Sequence, residues 1–385
     1  MKITIFGLTL SSSWGNGHAT PYRAILRGLQ RRGHRVNFYE KDVEYYARRR
    51  DFTSCSYCNL VLYPTWDEVR ERALREAEES DAVIVASYCP EGARIADEVL
   101  ELSRPLQVFY DLDTPITLQN LEIGEVDYLR REQIPGFDLY LSFTGGGVLR
   151  ELEQQWGARL ARPLYGCVDP EVHARVPARE EFSCLLSYMG TYAADRQDKV
   201  DALFLEPVRR RPKSRFLLAG SLYPRHWVWP ENMLLLDHVA PADHPALYSS
   251  SRMTLNITRD GMARYGYCPS GRFFEAAACS TPLITDYWEG LKHFFTPGEE
   301  LFVVRDAEDV LSAVDCSDEH LKMIAQRARE RTLGEHTGDR RARELLGHFD
   351  EARSLRYLPR TVPANKLQDE AVPFGPEAWT LEPGA

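Results

Sequence analysis

The sequence predicts an α/β protein made of two Rossmann-like, doubly wound domains that face each other across a cleft. Its 385 residues fit two domains of ordinary size. Short apolar runs alternate with longer amphipathic segments, which is typical of βαβ units in a parallel sheet. A turn-rich passage around Gly166 and Pro170 interrupts this alternation once, and the pattern then restarts. We therefore expect an N-terminal domain over residues 1–166, a C-terminal domain over 167–350 and a proline-rich tail over 351–385.

In the first domain, strands and helices are predicted to follow each other along the chain. Short apolar runs predict buried strands at residues 2–6, 35–39, 82–86, 106–110 and 139–143. Apolar residues at helical spacing, with charged outer faces, predict helices at residues 20–32, 66–79, 91–102 and 147–156. The connections between parallel strands are expected to be right-handed.

The second domain repeats this organisation. Apolar runs predict strands at residues 182–187, 215–219, 233–236, 253–257, 282–285 and 301–304. A helix is expected at 271–279, and the tail is expected to form a strap or a partly ordered extension.

Composition excludes several classes of protein. With 44% hydrophobic and 27% charged residues, the chain is globular rather than disordered or fibrous. Its formal net charge of −10 predicts no global attraction to nucleic acid or to anionic lipid. No apolar run is long enough to span a bilayer, and the first residues lack the apolar run of a signal peptide, so we expect a cytoplasmic protein.

The eight cysteines are scattered and lie mostly in apolar runs, which favours buried, reduced thiols over a disulfide framework. Cys55 and Cys58 form a Cys-x-x-Cys pair, but no second pair follows at zinc-finger spacing. We therefore expect no bound metal. The sequence leaves the oligomeric state open.

The clearest candidate for a binding site is the start of the predicted helix at residue 271. Ser270 stands at the N-cap position, where the first helical turn presents free backbone N–H groups. Gly271 permits close approach of a ligand, and Arg272 adds a positive fork that suits phosphate. One turn further, Glu275 is placed to accept hydrogen bonds from ribose hydroxyls. Periodicity alone leaves open whether Arg272 and Glu275 are ordinary surface residues.

A resemblance to a known family rests on this segment and on several others. Residues 270–291 resemble the CgeB-like group of GT-B glycosyltransferases, and so do residues 12–20, 110–115, 165–170 and 190–192. The similarity covers residues 1 to about 350. It implies a GT-B glycosyltransferase that binds a nucleotide-diphosphate sugar, with a UDP-sugar as the expected donor, in the C-terminal domain. It also implies an unidentified acceptor in the N-terminal domain, a retaining reaction, no divalent metal and no further cofactor.

The resemblance is incomplete at one position. Related retaining enzymes carry a Glu-x7-Glu signature whose second glutamate binds the ribose, and Glu275 matches that residue. The first glutamate would fall at position 267, which is Tyr267 in this chain. How the sugar is held, and which sugar it is, therefore stay open.

Further donor contacts are predicted at the ends of strands in the second domain. Gly190, Thr191 and Tyr192 follow a strand, and the resemblance places the donor phosphates there, within reach of Arg196. An ordinary βα turn is the other interpretation. His238 and Val239 end another strand, where the resemblance implies main-chain contacts with the base.

The first domain supplies a glycine-containing loop between its first strand and helix. Gly15, Asn16 and Gly17 offer backbone N–H groups that can close on the donor diphosphate from the opposite side of the cleft. His18 is a candidate catalytic residue that supplies a proton or a hydrogen bond, or orients the acceptor. A purely structural histidine is the alternative.

Two carboxylates lie at alternate positions after another strand. In an extended segment, Asp111 and Asp113 would point to the same side and could act as an acid/base pair or share a substrate hydroxyl. Alternatively, Asp113 or Thr114 caps a helix ahead of Pro115. Neither carboxylate is assigned as a nucleophile.

Three other functions are weighed against this one. Gly15-x-Gly17-x-x-Thr20, with Glu40 at the acidic position, partly fits the fingerprint of an NAD-dependent oxidoreductase. A nucleotide-sugar epimerase would use the same donor site without an acceptor. Nucleic-acid binding would use the arginine triplets at 48–50 and 209–211 with nearby aromatic residues, but the net negative charge disfavours it. The aromatic residues that could line an acceptor groove are Trp14, Tyr45, Tyr46 and Trp66, although aromatic side chains lie more commonly in the core.

Overall fold

The computed structural model describes residues 1–14, 16–52, 54–224 and 226–356. Within these ranges the chain forms two parallel sheets, each covered by helices on both faces, as predicted. The glycine at position 15, proposed for the donor loop, and residues 357–385 of the proposed tail lie outside the described residues.

The first sheet has seven strands in the order β3-β2-β1-β4-β5-β6-β7. They are β1 (Lys2–Gly7), β2 (Arg35–Lys41), β3 (Asn59–Tyr63), β4 (Ala82–Ala86), β5 (Leu106–Asp111), β6 (Leu139–Ser142) and β7 (Ala161–Pro163). Its helices are α1 (Ala19–Arg31), α2 (Glu44–Ala47), α3 (Trp66–Glu78), α4 (Gly92–Leu100), α5 (Thr114–Ile123) and α6 (Gly147–Gln154). The five predicted strands form the middle of this sheet, and the edge strands β3 and β7 had not been predicted. Helix α5, with Asp113 at its N-cap position, agrees with the alternative interpretation of a helix at Pro115.

Successive residues of the central strands point to opposite faces, so each strand contributes to two cores. On one face, Ile5 and Val108 pack beneath α1, and on the other, Phe6 and Phe109 pack against α3 and α4. All five residues of β4 are buried. A strand covered on both faces reads as a continuous apolar run, which is why the sequence predicted β4 at the same residues.

The second sheet has six strands in the order β10-β9-β8-β11-β12-β13. They are β8 (Cys184–Met189), β9 (Phe216–Ala219), β10 (Met233–Leu236), β11 (Ser251–Asn256), β12 (Leu283–Thr285) and β13 (Phe302–Val303). Its helices are α7 (Gln197–Val200), α8 (Glu206–Arg210), α9 (His244–Ser250), α10 (Asp260–Tyr265), α11 (Gly271–Ala278), α12 (Leu291–Phe294), α13 (Ala307–Val314) and α14 (Asp318–Glu335). A π-helical stretch, Asp201–Leu205, joins α7 to α8.

The last described helix, α15 (Gly338–Arg356), returns to the first sheet. It crosses α1 so closely that a Cβ atom on Gly28 would lie 2.7 Å from the carbonyl oxygen of Gly338. Arg162 of β7 pairs with Glu351, with Nε 2.9 Å from the carboxylate. The predicted limit between domain and tail, at 350/351, therefore falls inside a helix packed on the first domain, because the apolar face of α15 is buried against α1. The limit at 166/167 stays a proposal.

In both sheets the strand order reverses beside the first strand, between β1 and β4 and between β8 and β11. In open α/β sheets, ligands bind outside the carboxyl ends of the strands at such switch points. The loops that leave these four strands therefore mark where a site is expected. Among the described residues, no helix is both long and apolar enough to cross a membrane.

Candidate functional site

The two switch points face a shared cleft with two adjoining lobes. The larger lobe has a volume of about 520 Å³ and the smaller lobe about 260 Å³. Both are lined by residues of each domain, and they share His18, Asp113, Arg196, Arg272 and Glu275. Five residues predicted from separate parts of the sequence are thus brought together in one cleft.

Three arginines from different loops converge on this cleft. Arg196, Arg259 and Arg272 each line both lobes. Arg259 pairs with Asp195, with Nε 3.1 Å from the carboxylate. In the described part of the chain, Arg196 and Arg272 have no carboxylate within ion-pair distance. Guanidinium groups gathered without counterions favour an anionic ligand, and two phosphates suit them well.

Arg196 is held in place by its surroundings. The residue is 6% exposed, one of its terminal nitrogens donates to the carbonyl of Thr191, and its Nε atom is buried without a partner. Burial and the neighbouring Arg272 and Arg259 lower the pKa of Arg196. An incoming anion would relieve both the missing hydrogen bond and the repulsion between these cations.

Helix α11 begins at the same place. Ser270 has extended backbone angles at the N-cap position, as predicted, but its hydroxyl accepts from Arg272 Nε at 2.9 Å and does not cap the helix. A terminal nitrogen of Arg272 also donates to the carbonyl of Met189, at the end of β8. The guanidinium group of Arg272 is therefore held between α11 and the backbone next to Gly190. The N-terminus of α11, which carries the positive end of the helix dipole, remains open to the cleft.

Glu275 lies one turn into α11 and is 6% exposed. Its Oε2 atom is 3.2 Å from Nδ1 of His244, and Nε2 of the same ring is 3.2 Å from the carbonyl oxygen of Val239. Although burial raises it, the pKa of Glu275 falls to about 2 because His244, His173 and Arg272 are nearby. Glu275 is therefore ionised and can accept hydrogen bonds from a ligand with its other oxygen.

A second histidine completes this cluster. One ligand atom each of His173, His244 and Glu275 lie within 4.8 Å of one another, a spacing that can hold a metal ion. His173 is 4% exposed, and neither of its ring nitrogens has a partner. Burial is the main cause that lowers the pKa of His173. The prediction of no bound metal is not tested by this arrangement.

The loop after β1 is anchored by an acidic residue from β2. Glu40 is fully buried and accepts from the backbone N–H groups of Leu10 and Ser11 at 2.7 and 2.9 Å. Thr9 donates to it at 3.0 Å. The interpretation of Glu40 as a ribose ligand of an NAD-dependent enzyme is therefore wrong, because its carboxylate is consumed in holding the loop. Asn16 and Gly17 line the cleft, as predicted.

His18 stands at the N-terminus of α1, next to the cleft. Its ring centroid lies 5.4 Å from that of Tyr88, and its Nδ1 atom is buried with no partner among the described residues. Burial lowers the pKa of His18 to about 4, so the imidazole is neutral at physiological pH. A neutral ring can donate or accept a hydrogen bond, but it carries no proton to give as a cation.

The two aspartates play different parts. Asp113 lines both lobes, Tyr88 donates to its Oδ2 atom at 3.1 Å, and its Oδ1 atom is buried without a partner. Burial first, and Asp111 second, raise the pKa of Asp113 to about 6.

Asp111 does not reach the cleft lining and is fully buried. It accepts from Tyr140 at 2.6 Å, from Thr117 at 2.8 Å and from the N–H of Asp113 at 3.1 Å. The predicted acid/base pair is therefore wrong. The cause is the chain direction, because β5 ends at Asp111 and the backbone turns into α5 instead of continuing as a strand.

Aromatic side chains adjoin the larger lobe. The ring centroids of Trp14 and His238 lie 4.3 Å apart, across the two domains, with the rings tilted by 53°, and the guanidinium of Arg49 lies 3.9 Å from the centroid of the Trp14 ring. Tyr46 and His238 line this lobe. Two candidate residues lie elsewhere. Trp66 is fully buried in the core of the first domain, and Tyr192, predicted as a donor contact, packs on Trp227 outside the cleft lining.

Comparisons with known proteins agree with this geometry. Residues 196–347 match the family model described as Glycosyl transferase-like. This match covers most of the second domain. No curated protein matches the chain.

Solved structures similar to the chain are glycosyltransferases of the GT-B fold. An α-glucosyltransferase in complex with UDP-glucose and DNA containing an abasic site matches with a TM-score of 0.69 and 14% identity, covering 91% of this chain and 99% of that one. Sucrose-phosphate synthase from Thermosynechococcus elongatus matches with 0.65 and 12%, covering 92% and 99%. HepE from Anabaena, in complex with UDP and glucose, matches with 0.62 and 12%, covering 91% and 100%. The chain therefore has the GT-B fold over nearly its whole length.

Sequence reasoning missed three residues of this cleft. Arg259 follows β11, His244 begins α9 and Tyr88 follows β4. Each lies just beyond the end of a strand or at the start of a helix, which is the signal that would have identified it. Their convergence depends on strand order, which the sequence pattern did not give.

Proposed function

We propose that the protein is a retaining, metal-independent glycosyltransferase that moves a sugar from a UDP-sugar to an acceptor. The observation that carries the proposal is the placement of Arg196 and Arg272, which form no ion pair with any described carboxylate, beside the open end of α11 and near the ionised Glu275. The matched family model and the UDP or UDP-glucose bound by similar structures support this choice of donor. The CgeB-like group is the subfamily we infer.

In this proposal the donor lies along the second domain. The ribose hydroxyls bind Glu275, and the diphosphate binds Arg196, Arg272 and the first N–H groups of α11. The base lies near His238 and Val239, at the end of β10. Gly190 and Thr191 line the same lobe and let the phosphates approach the backbone.

In the proposed reaction, the arginines stabilise the negative charge that develops on the leaving group. As the bond between sugar and phosphate breaks, negative charge grows on the leaving UDP, and the fixed cations of Arg196 and Arg272 stabilise it. This is the role that a divalent metal has in other transferases, so the proposed reaction proceeds in its absence. The leaving phosphate takes the proton of the acceptor hydroxyl on the same face, which retains the anomeric configuration.

The acceptor enters from the first domain, which we assign to residues 1–166. His18 and Asp113 face the shared part of the cleft and are placed to orient the acceptor hydroxyl. The net charge of −10 favours an acceptor that is a small molecule, a glycan or a protein over nucleic acid.

The proposal is tested by incubating the full chain with a panel of UDP-sugars in EDTA and measuring UDP release with and without candidate acceptors. We expect one UDP-sugar to be cleaved, with an α-linked donor giving an α-linked product by NMR. Arg272→Gln should abolish the release, while Arg209→Gln, on the surface of α8, should leave it unchanged. An isomerised sugar without UDP release would establish an epimerase instead, and dependence on added Mg²⁺ would contradict metal independence.

A further inference from the structure

His244 joins the two parts of the second domain that the proposed function assigns to the nucleoside. Its ring stands between Glu275 of α11, the proposed ribose ligand, and the carbonyl of Val239, in the proposed base segment. Both distances are 3.2 Å. Among the described side chains, His244 is the one in hydrogen-bonding geometry with the carboxylate, and the buried hydroxyl of Tyr248 faces the same carboxylate without meeting that geometry. The orientation of that carboxylate thus depends mainly on the His244 ring.

The chemistry of the two partners fixes the protonation of the ring. A carboxylate and a backbone carbonyl only accept hydrogen bonds, so both ring nitrogens must donate. His244 therefore satisfies both contacts only as the imidazolium. Consistent with this, the pKa of His244 is raised by Glu275 and by Val239 in spite of burial.

We propose that His244 is a positioning residue that fixes the Glu275 carboxylate against the backbone of Val239 and thereby gives the site its preference for ribose. The proposal rests on the proposed function of the cleft. The ring does not touch the reacting atoms. It determines where the second carboxylate oxygen points, and hence whether the 2′-hydroxyl of the nucleotide finds its acceptor.

Because His244 makes both hydrogen bonds only when it is protonated, the preference for ribose should depend on pH. Below the raised pKa of His244, both hydrogen bonds are present, and as pH rises through it one of them is lost while Glu275 stays ionised. The preference for ribose should therefore be greatest at lower pH and should weaken at higher pH. The other titratable or charged groups that face His244 are His173, His238, Asp243, Tyr248 and, across Glu275, Arg272.

The test compares the Kd of UDP with that of 2′-deoxy-UDP by calorimetry, in EDTA, at about pH 6.5 and about pH 9. Both nucleotides carry the same base and diphosphate, so titration of those groups cancels in the ratio of the two Kd values. The full-length wild type is expected to prefer UDP by about tenfold or more at the lower pH, which is the scale of one hydrogen bond to a charged group. That preference should fall severalfold at the higher pH.

Two histidine variants separate positioning from packing. Glutamine at position 244 can donate to only one of the two acceptors and does not titrate, so His244→Gln should reduce the preference to about twofold and remove its pH dependence. His348→Gln alters a half-buried histidine of α15 that lines neither lobe of the cleft, and it should keep both the preference and its pH dependence. If His244→Gln does not fold, His244→Asn serves in its place.

The outcomes distinguish this proposal from the proposed function. UDP binding by the wild type with an unchanged preference in His244→Gln would overturn the role of His244 and leave the donor assignment intact. A wild type that binds neither nucleotide would overturn both. Binding that EDTA abolishes and Zn²⁺ restores would show that His173, His244 and Glu275 form a metal site, and would also overturn the role assigned here.

Discussion

The hydroxyl of Tyr88 donates to Oδ2 of Asp113 at 3.1 Å, whereas Oδ1 of the same carboxylate is buried and has no partner among the described residues. Asp113 lines the cleft. A buried carboxylate oxygen without a partner is costly to fold, and such costs are concentrated at sites with a function. We therefore take Asp113, rather than Asp111, as the carboxylate of the site.

Asp113→Asn should stabilise the fold and lower activity. The pKa of Asp113 is raised to about 6 from an ordinary value of 3.8, so its ionised form destabilises the folded state above pH 6. A neutral amide removes this cost, and we expect a gain of about 1 to 3 kcal/mol in the free energy of unfolding at neutral pH. Denaturant melts at several pH values should show the gain disappearing as the pH falls toward 4. A destabilised variant at neutral pH would argue that Asp113 is a structural residue.

Burial raises the pKa of Asp111 as well, but three hydrogen bonds satisfy its carboxylate, so Asp111→Asn should have the opposite effect on stability. The Asp111 carboxylate accepts hydrogen bonds from Tyr140, Thr117 and a backbone N–H. In asparagine, the NH₂ group replaces one of the two accepting oxygens and would face these donors. We expect a loss of about 1 to 3 kcal/mol in the free energy of unfolding, with the Kd of UDP unchanged in the folded protein. A large rise in Kd without a loss of stability would return Asp111 to the site.

The contrast between these aspartates shows where the sequence was sufficient and where it was not. The apolar run of β5 predicted a strand correctly, but whether Asp113 continues that strand depends on the turn into α5. There the N–H of Asp113 folds back onto the Asp111 carboxylate. Pro115 was a sign of this turn, since proline is common in the first turn of a helix.

The elements missed by the sequence share a physical cause. β3 and β7 lie at the edges of the first sheet, where strands are short and only partly covered, so their patterns are weak. The residues proposed to bind phosphate were predicted where a local motif specified them, as with Arg272 at the start of α11. Arg259 lies in no local motif, and only the order of β8 and β11 brings it to Arg196.

His18→Ala should lower turnover much more than donor affinity. The neutral ring faces the shared part of the cleft but lies on the acceptor side, so its loss should reduce kcat by about 100-fold, the lower end for acid–base or orienting groups. The Kd of UDP, measured by calorimetry, should change by less than about threefold. His226→Ala, an exposed histidine, is the matched control. An effect confined to the melting temperature would assign His18 to packing alone.

Arg196→Gln should weaken binding of the diphosphate and not of the nucleoside. Removing this buried guanidinium should raise the Kd of UDP by about tenfold or more, since hydrogen bonds to charged groups contribute about 1.5 to 3 kcal/mol. The Kd of uridine should not change. The control is Arg209→Gln, whose side chain is mostly exposed and paired with Glu206. Equal losses for UDP and uridine would place Arg196 away from the phosphates.

The central claim is that the cleft binds one nucleoside diphosphate through Glu275 and the neighbouring arginines. Calorimetric titration of the full chain with UDP, GDP, ADP and NAD in EDTA tests it most directly. We predict micromolar binding of UDP that weakens by about 1.5 to 3 kcal/mol in Glu275→Ala. Binding of NAD alone, or UDP affinity that is unchanged in Glu275→Ala, would contradict the account.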